Sequence, residues 1–453
     1  MIYKRGLFLT AALCASLTGL EPAAAQSQDT VLGPVIGTNQ WNYIAQGVDP
    51  SRPVDEARPG VLERSRPEYD ARGVRIGGFV LYPSLATTYS FDDNIFSLPG
   101  GTLPVASANL LGSAHKKSDT ITHIVPAIVL QSDWTAHSLK LYGNADAAYF
   151  TNRDTENVVN GKVGLIGTID VMHDMRVRYY GEWLLNHEDR GMTALAYSST
   201  VFDKPVEYNQ TTAGVAVNKQ FNRFAVTTSS DYKHVEYVNP RLNGVEIDQS
   251  FRNGDIYTIK NRLGYEISPL TRIFTEYGYE QRKFVNASFD NNGQRAVVGV
   301  SGELSRLVRG EIYGGYLGQY YGQGINDVHT VAYGGLVNWY ATPLVTFVLT
   351  GERSVNETLY GGSGTYIQSK LVGRADYEFR RNIIFSGKLG YEWDDFQDAA
   401  RNDTLFATGI SGTYLFSRNF KMMLDYTHGE RESSAALLGY TRNIYTVSGQ
   451  VQF

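Results

Sequence analysis

Three things are scarce in this chain of 453 residues: cysteine, long apolar runs, and an excess of charge of either sign. The single cysteine, Cys14, lies in an apolar stretch near the start, behind the large Leu13, where a lipid-modified cysteine would follow a small residue. The rest of the chain therefore has no disulfide framework, iron–sulfur cluster or thiolate chemistry. No segment reaches 18 consecutive apolar residues, so no membrane-spanning helix is expected. A net charge of −5 draws the chain to no polyanion, and nucleic acid is not an expected partner. Catalytic signatures are missing as well. The eight histidines (His115, His123, His137, His173, His187, His234, His329 and His428) are scattered, with no HExxH, no G-x-S-x-G elbow and no P-loop. Asp425 with His428, near a strand end, does not amount to a catalytic site. Asp92-Asp93-Asn94 and Asp394-Asp395 offer oxygen ligands of the kind Ca²⁺ uses, but they read as solvated loop acids. No enzyme activity, cofactor or metal is expected.

What is abundant is glycine (46) and tyrosine (31), with a slightly negative mean hydropathy of −0.26. Tyrosine favours strands and lipid–water boundaries. A barrel whose alternate residues face a polar lumen has such a mean hydropathy; a helical membrane protein does not. Lys4 and Arg5 precede an apolar stretch from about Gly6 to Leu20, and Ala23-x-Ala25 fits a small-residue cleavage site. Residues 1–25 are therefore expected to be a signal peptide, which implies export. Residues 26–74 carry Pro34, Pro50, Pro53, Pro59 and Pro67 among charged residues, with no apolar period. They are expected to form a disordered or extended periplasmic lead.

From about Arg75 to the end, runs of alternating apolar and polar residues recur. Period two is clear in 383–394, where Ile383, Phe385, Gly387, Leu389, Tyr391 and Trp393 alternate with Ile384, Ser386, Lys388, Gly390, Glu392 and Asp394. The same holds for 420–429 and 442–453. Short turns are expected at 135–137, 171–174, 222–223, 268–271, 305–307, 342–344, 380–382 and 417–419. Longer polar segments lie between them, near 92–118, 151–157, 187–205, 238–253, 285–293, 322–327, 354–365, 394–403 and 430–441. Strict alternation of long and short connections fits a barrel with two unlike rims. The expected fold is all-β: one antiparallel up-and-down transmembrane β-barrel of about 18 strands (16–18) over 75–453. Such a barrel belongs in the outer membrane of a Gram-negative cell. Trp134, Phe221, Phe224, Trp339, Tyr340, Phe379, Phe416 and Phe420 sit beside the short turns, as an interfacial girdle requires. The terminal Phe453 resembles the C-terminal signal read by the barrel-assembly machinery.

Placing Lys or Arg on the lipid face near the midplane costs about 2–4 kcal/mol, so strand charges are assigned inward. The residues expected to line the pore are Arg176, Arg178, Glu182, Lys233, Lys260, Arg262, Glu276, Glu280, Arg309, Glu311, Lys370, Arg374, Asp376, Lys388, Glu392 and Asp425. Arg282, Lys421, Asp231, Glu266, Glu378 and Asp394 fall on the same face. The two signs are equal in number, so no strong ion selectivity is expected. The ladder reads either as wall-strengthening ion pairs or as a field that sorts solutes at a constriction.

Gly77-Gly78-Phe79-Val80-Leu81-Tyr82-Pro83, running into Tyr89-Ser90-Phe91-Asp92-Asp93-Asn94-Ile95-Phe96, resembles the opening strand of the outer-membrane β-barrel porin type 2 family. The family pattern is Gly-x-Phe-x-x-x-Pro leading into Tyr-x-x-Asp-Asp-Asn-Ile/Val-Phe. The specific motif covers some 20 residues; the remainder of 75–453 matches in architecture. The resemblance implies a porin-like channel for hydrophilic solutes, linked to surface-polysaccharide or exopolysaccharide export and its export proteins. It supplies no catalytic residues. The alternative expectation is a non-conducting structural or adhesive barrel, its lumen plugged by loop 92–118 or by the lead. A receptor with a large folded plug is disfavoured, because only about 49 residues precede the barrel.

Overall fold

The computed structural model describes residues 60–100, 116–190, 202–322, 324–358, 364–397, 399–436 and 438–453. The expected signal peptide, residues 26–59 of the lead and residues 101–115 of the loop expected at 92–118 lie outside the described residues. Eighteen long strands follow one another: β1 (Phe79–Asp92), β2 (Asp119–Ser132), β3 (His137–Phe150), β4 (Val158–Met172), β5 (Met175–His187), β6 (Glu207–Phe221), β7 (Phe224–Tyr237), β8 (Gly254–Ser268) and β9 (Thr271–Phe284). The second half comprises β10 (Asn291–Ser305), β11 (Val308–Tyr321), β12 (Val328–Thr342), β13 (Val345–Glu357), β14 (Thr365–Arg380), β15 (Ile383–Phe396), β16 (Asn402–Leu415), β17 (Phe420–Ser433) and β18 (Tyr440–Gln452). Each pairs antiparallel with the next. β18 returns to β1 from Ser84↔Gln452 to Asp92↔Ile444, closing the barrel.

The turns after β2, β4, β6, β8, β10, β12, β14 and β16 fall on one rim, with both ends of the barrel chain; the longer loops form the other rim. The tightest turns use residues that tolerate them: Asn222, at φ 56°, opens the two-residue turn from Phe221 to Phe224. Several loops are shorter than expected. β13 runs to Glu357, β15 to Phe396 and β17 to Ser433, because their polar ends stay in the hydrogen-bonded ladder.

The alternation sorts the faces as expected. On β15 Phe385, Leu389 and Trp393 are exposed while Ile384, Glu392 and Asp394 are buried; on β18 Tyr445, Val447 and Val451 are exposed while Thr446, Ser448 and Gln450 are buried. The exposed apolar side chains form the outer coat of the barrel. At the short-turn rim Trp134, Phe221, Phe224, Trp339, Phe379, Phe416 and Phe420 point outward. Several rest on aromatic neighbours, such as Trp134 on Phe79 at 5.2 Å and Trp339 on Phe347 at 4.9 Å between ring centroids.

Of the lead, residues 60–74 are described. Residues 60–70 form turns seated against the inner wall at the short-turn rim. The Val61 backbone N–H donates to Thr346 Oγ1 at 2.9 Å, and Val61 is fully buried. Arg64 and Arg66 both reach Glu378, at 3.0 and 2.7 Å. Arg418 Nε donates to the Pro67 carbonyl at 2.7 Å and Gln452 Nε2 to that of Tyr69 at 3.3 Å. Composition hides this, because the anchoring comes from barrel residues some three hundred positions away. A short strand, Val74–Ile76, then pairs with the start of β1.

Leu389 is 55% exposed at the centre of β15. Leu389→Arg is expected to lose about 2–4 kcal/mol of stability, measured by urea-dependent refolding into lipid vesicles. Wild-type refolding of that variant would contradict a lipid-facing Leu389.

Candidate functional site

The inner wall is built by the same alternation that builds the coat: each inward position falls between two outward apolar ones. Because adjacent strands bring inward side chains within about 4.5–5.5 Å, charges meet across the ladder. On β8–β11, Arg262 lies between Glu276 at 2.6 Å and Glu311 at 2.8 Å, with its guanidinium over the Phe274 ring. Arg295 takes the other Glu276 oxygen at 3.0 Å and lies over Tyr313. Glu280 binds Arg282 and accepts from Thr258 Oγ1. Lys260, buried on the same strand as Arg262, makes no hydrogen bond through its Nζ among the described residues.

A second group spans β14–β17. Asp376 accepts from Arg374 Nε at 3.0 Å and from Ser386 Oγ at 2.7 Å. Lys388 lies in the field of Asp376 and Asp425, and Asp425 accepts from Thr427 Oγ1 at 3.0 Å. Towards the long-loop rim the Gln368 amide bridges Glu392 at 2.9 Å and Asp394 at 3.1 Å, and Lys370 is 3.9 Å from Glu392. A third group lies on β3–β5, where Glu182 accepts from Tyr142 Oη at 2.7 Å and is 3.9 Å from Lys162. Arg176 pairs with Asp170 and Arg309 with Glu303 within their hairpins. Lys233 is buried on β7, and Arg178 is half-buried one inward step from Arg176. The Asp92 and Asp394 carboxylates are buried rather than solvated: Asp92 is bound by Arg442 at 2.6 Å, and Asp394 by Gln368.

Two further features narrow the interior, and the sequence reading placed neither. The first begins where β5 ends, at Glu188-Asp189-Arg190. Glu188 pairs with Arg252 of the β7–β8 loop, whose guanidinium stacks 3.7 Å over the Tyr237 ring. Arg190 pairs with Glu156 of the β3–β4 loop at 2.7 Å and donates to the Phe202 carbonyl at 3.0 Å. Asp189 reaches Arg442 on β18, 3.2 Å away, beside Asp92 of β1. Three loops are thus tied together and to the wall at the closing seam. The only sequence sign was a dense charged tripeptide at a strand exit. Asp203, in the same loop, accepts from the backbone N–H groups of Asn243 and Gly244, which hold its carboxyl below the usual range.

The second feature is the far end of β13–β14. The β12–β13 ladder stops at Gly334↔Glu352, while β13 stays paired with β14 to Glu357↔Thr365. Alternation is lost there: Val355–Glu357 and Thr365–Gln368 are buried on both faces. The described ends of β13 and β14 leave β12 and turn into the barrel. Glu357 accepts from Arg282 at 2.8 Å, Asn291 Nδ2 at 2.7 Å and Tyr321 Oη at 3.3 Å, on three other strands. Loop 92–118, one of the two plugs of the alternative expectation, is described only at its ends, where Asn94 is hydrogen-bonded to Leu98 and to the Thr441 carbonyl.

Breaking one side of a buried ion pair strands the other charge, which costs about 3–5 kcal/mol, whereas removing both is far milder. Glu188→Ala is therefore expected to make the β5–β6 and β7–β8 loops protease-sensitive, and the Glu188→Ala/Arg252→Ala double variant to recover most of the resistance. Equal sensitivity of the two variants would show that the pair does not hold the loops.

Among solved structures the chain is similar to the outer-membrane protein OpdK from Pseudomonas aeruginosa, at 11% identity over 82% of this chain and 99% of that one, with a TM-score of 0.43. It is also similar to a BenF-like porin from Pseudomonas fluorescens, at 8% identity, 83% and 100% coverage and a TM-score of 0.45. The copper transporter OprC gives 10% identity, 84% and 81% coverage and a TM-score of 0.45. No curated protein matches the chain. The family described as "Putative beta-barrel porin 2" matches residues 66–453, most of the sequence and the whole barrel. The chain belongs to that porin family, and it is a β-barrel of the outer membrane.

Proposed function

We propose that this barrel conducts hydrophilic solutes across the outer membrane, with surface polysaccharide or its oligosaccharide pieces as the finer solute class. The observation that carries the reading is the wall itself. Charges of both signs stand on its inner face while the outer face is apolar. The residues expected from the sequence to line the pore are assigned that role here. Most are held in pairs, so the wall presents fixed dipoles rather than one net sign, which suits neutral or weakly charged solutes. Loops tied at Glu188-Asp189-Arg190 are read as the constriction, by analogy with charged rings in other pores.

A partner-gated reading is favoured by the lead seated at the short-turn rim through Arg64, Arg66 and Glu378. In it, an export partner on that side would withdraw the lead. Phe453, exposed at the end of the closing strand, is assigned to recognition by the barrel-assembly machinery.

Single-channel recording in planar bilayers tests the proposal. Discrete steps that oligosaccharides block are expected; silence from verified folded barrel would overturn the open channel. Arg64→Ala/Arg66→Ala is expected to raise the open fraction if the lead acts as a gate. Arg190→Ala, which strands Glu156 and removes the tie between the two loops, is expected to raise the unit conductance instead.

A further inference from the structure

Side chains step back from the inner wall at one point. Across β7–β11, Ser229, Lys260, Gly278, Arg295 and Leu317 stand in one row of the ladder. Gly278 therefore leaves an empty position between two cations. A Cβ built there would meet Lys260 Cγ at 3.5 Å and Arg295 Cβ at 4.0 Å, which is ordinary contact. A recess of about 70 Å³ opens over this glycine, with Glu352 and Ser354 of the inturned β13 on its other side.

The recess contains an uncompleted pair. Lys260 is 4% exposed, yet its Nζ makes no hydrogen bond among the described residues, Glu352 included. Three carboxylates act on Lys260 through space: Asp231, Glu276 and Glu352. The oxygens of Glu276 are taken by Arg262 and Arg295; Asp231, which is outside the recess lining, has one oxygen held by Tyr180 Oη at 2.8 Å and the other buried without a hydrogen bond among the described residues. Glu352 is left to face the recess, with Lys260 on the opposite wall.

A buried ammonium and carboxylate held apart are unfavourable until something joins them. The joining group must accept from Nζ and donate to the carboxylate. A ligand ammonium would be repelled by Lys260 and Arg295; a ligand carboxylate, though drawn by the lining arginines Arg282, Arg295 and Arg353, could not donate to Glu352 and would be repelled by it. A hydroxyl both donates and accepts. Liquid water takes about 30 Å³ per molecule, so the recess has room for about two hydroxyl-sized groups side by side.

We infer that this recess is a binding subsite for an uncharged polyhydroxyl solute, a sugar, whose neighbouring hydroxyls bridge Lys260 and Glu352 over the floor left by Gly278. The inference deepens the channel reading and rests on it only for the route by which the sugar arrives.

The test is equilibrium binding of a neutral maltodextrin to the folded barrel in detergent, by calorimetry, beside a uronic-acid oligosaccharide of equal length. The neutral sugar is expected to bind. Lys260→Met and Glu352→Gln should each weaken it about tenfold, the scale of one hydrogen bond to a charged group. Gly278→Val, which fills the floor and keeps every charge, should weaken it as well. Ser448→Ala, on the distant closing strand, should not. No binding would mean that water alone fills the recess. Binding unchanged in all three variants would place the sugar elsewhere. Tighter binding of the acidic sugar, lost only in Lys260→Met, would make the recess an anion site. Each of these outcomes overturns the inference. A barrel that binds sugar but is silent in bilayers would sink the open channel and leave the subsite standing; one that conducts but binds no sugar would do the reverse.

Discussion

In hydrocarbon, a backbone N–H or C=O without a partner has no water to turn to, so a spanning sheet must have no edge. Everything in this molecule depends on the seam where β18 meets β1. The residues of the family motif are gathered there. Gly77, at φ +59°, turns the chain from the short strand Val74–Ile76 into β1. That conformation is strained for other residues. Phe79 packs on Trp134 at the membrane boundary. Pro83 stands where β18 runs out, so its missing N–H leaves no ladder bond unmade, while its carbonyl still accepts from Phe453. At the other end Asp92 binds Arg442, Asp93 receives two hydrogen bonds from Asn443, and Asn94 reaches the Thr441 carbonyl. Acids that read as a solvated loop form the upper clasp of the seam.

Closure creates an interior, and the interior decides where charges can stay. A charge on the coat would face lipid; a charge inside can meet an opposite charge on a neighbouring strand. The Arg295–Glu276–Arg262–Glu311 chain spans four strands without leaving either acid unpaired. Buried pairs of this kind add little net stability, but each fixes one geometry because the broken state is so unfavourable. The same logic holds the inturned parts. Glu357 anchors the β13–β14 hairpin on β9, β10 and β11, and Glu188 with Arg252 anchors the loops. What narrows the barrel is therefore set by a few fully buried charges rather than by bulk.

Much of the fold was legible in the sequence because side-chain alternation is local. The faces of β15, β17 and β18 follow from period two alone, and so do the positions of short turns and of the outward aromatics beside them. The inward direction of residues such as Arg262, Glu276 and Asp376 follows from the same rule. Arg295 was within reach of that rule, since it occupies an inward position of β10 between Gly293 and Val297.

Other features were beyond any local reading. Arg282 meets Glu357 and Arg66 meets Glu378 across large separations in sequence, and only the curvature of the closed wall brings them together. The lead looks disordered by composition, yet residues 60–70 are fixed by acceptors and donors on β13, β14 and β18 and on the β16–β17 turn. Sequence by itself determined the strand period, the two faces, the unlike rims and the membrane that suits them, because these need only neighbours along the chain. Tertiary structure alone decided which inward charges pair, which loops and which hairpin turn inward, and where Lys260 is left without a hydrogen bond among the described residues, because those depend on how far apart non-adjacent strands stand once the barrel has closed.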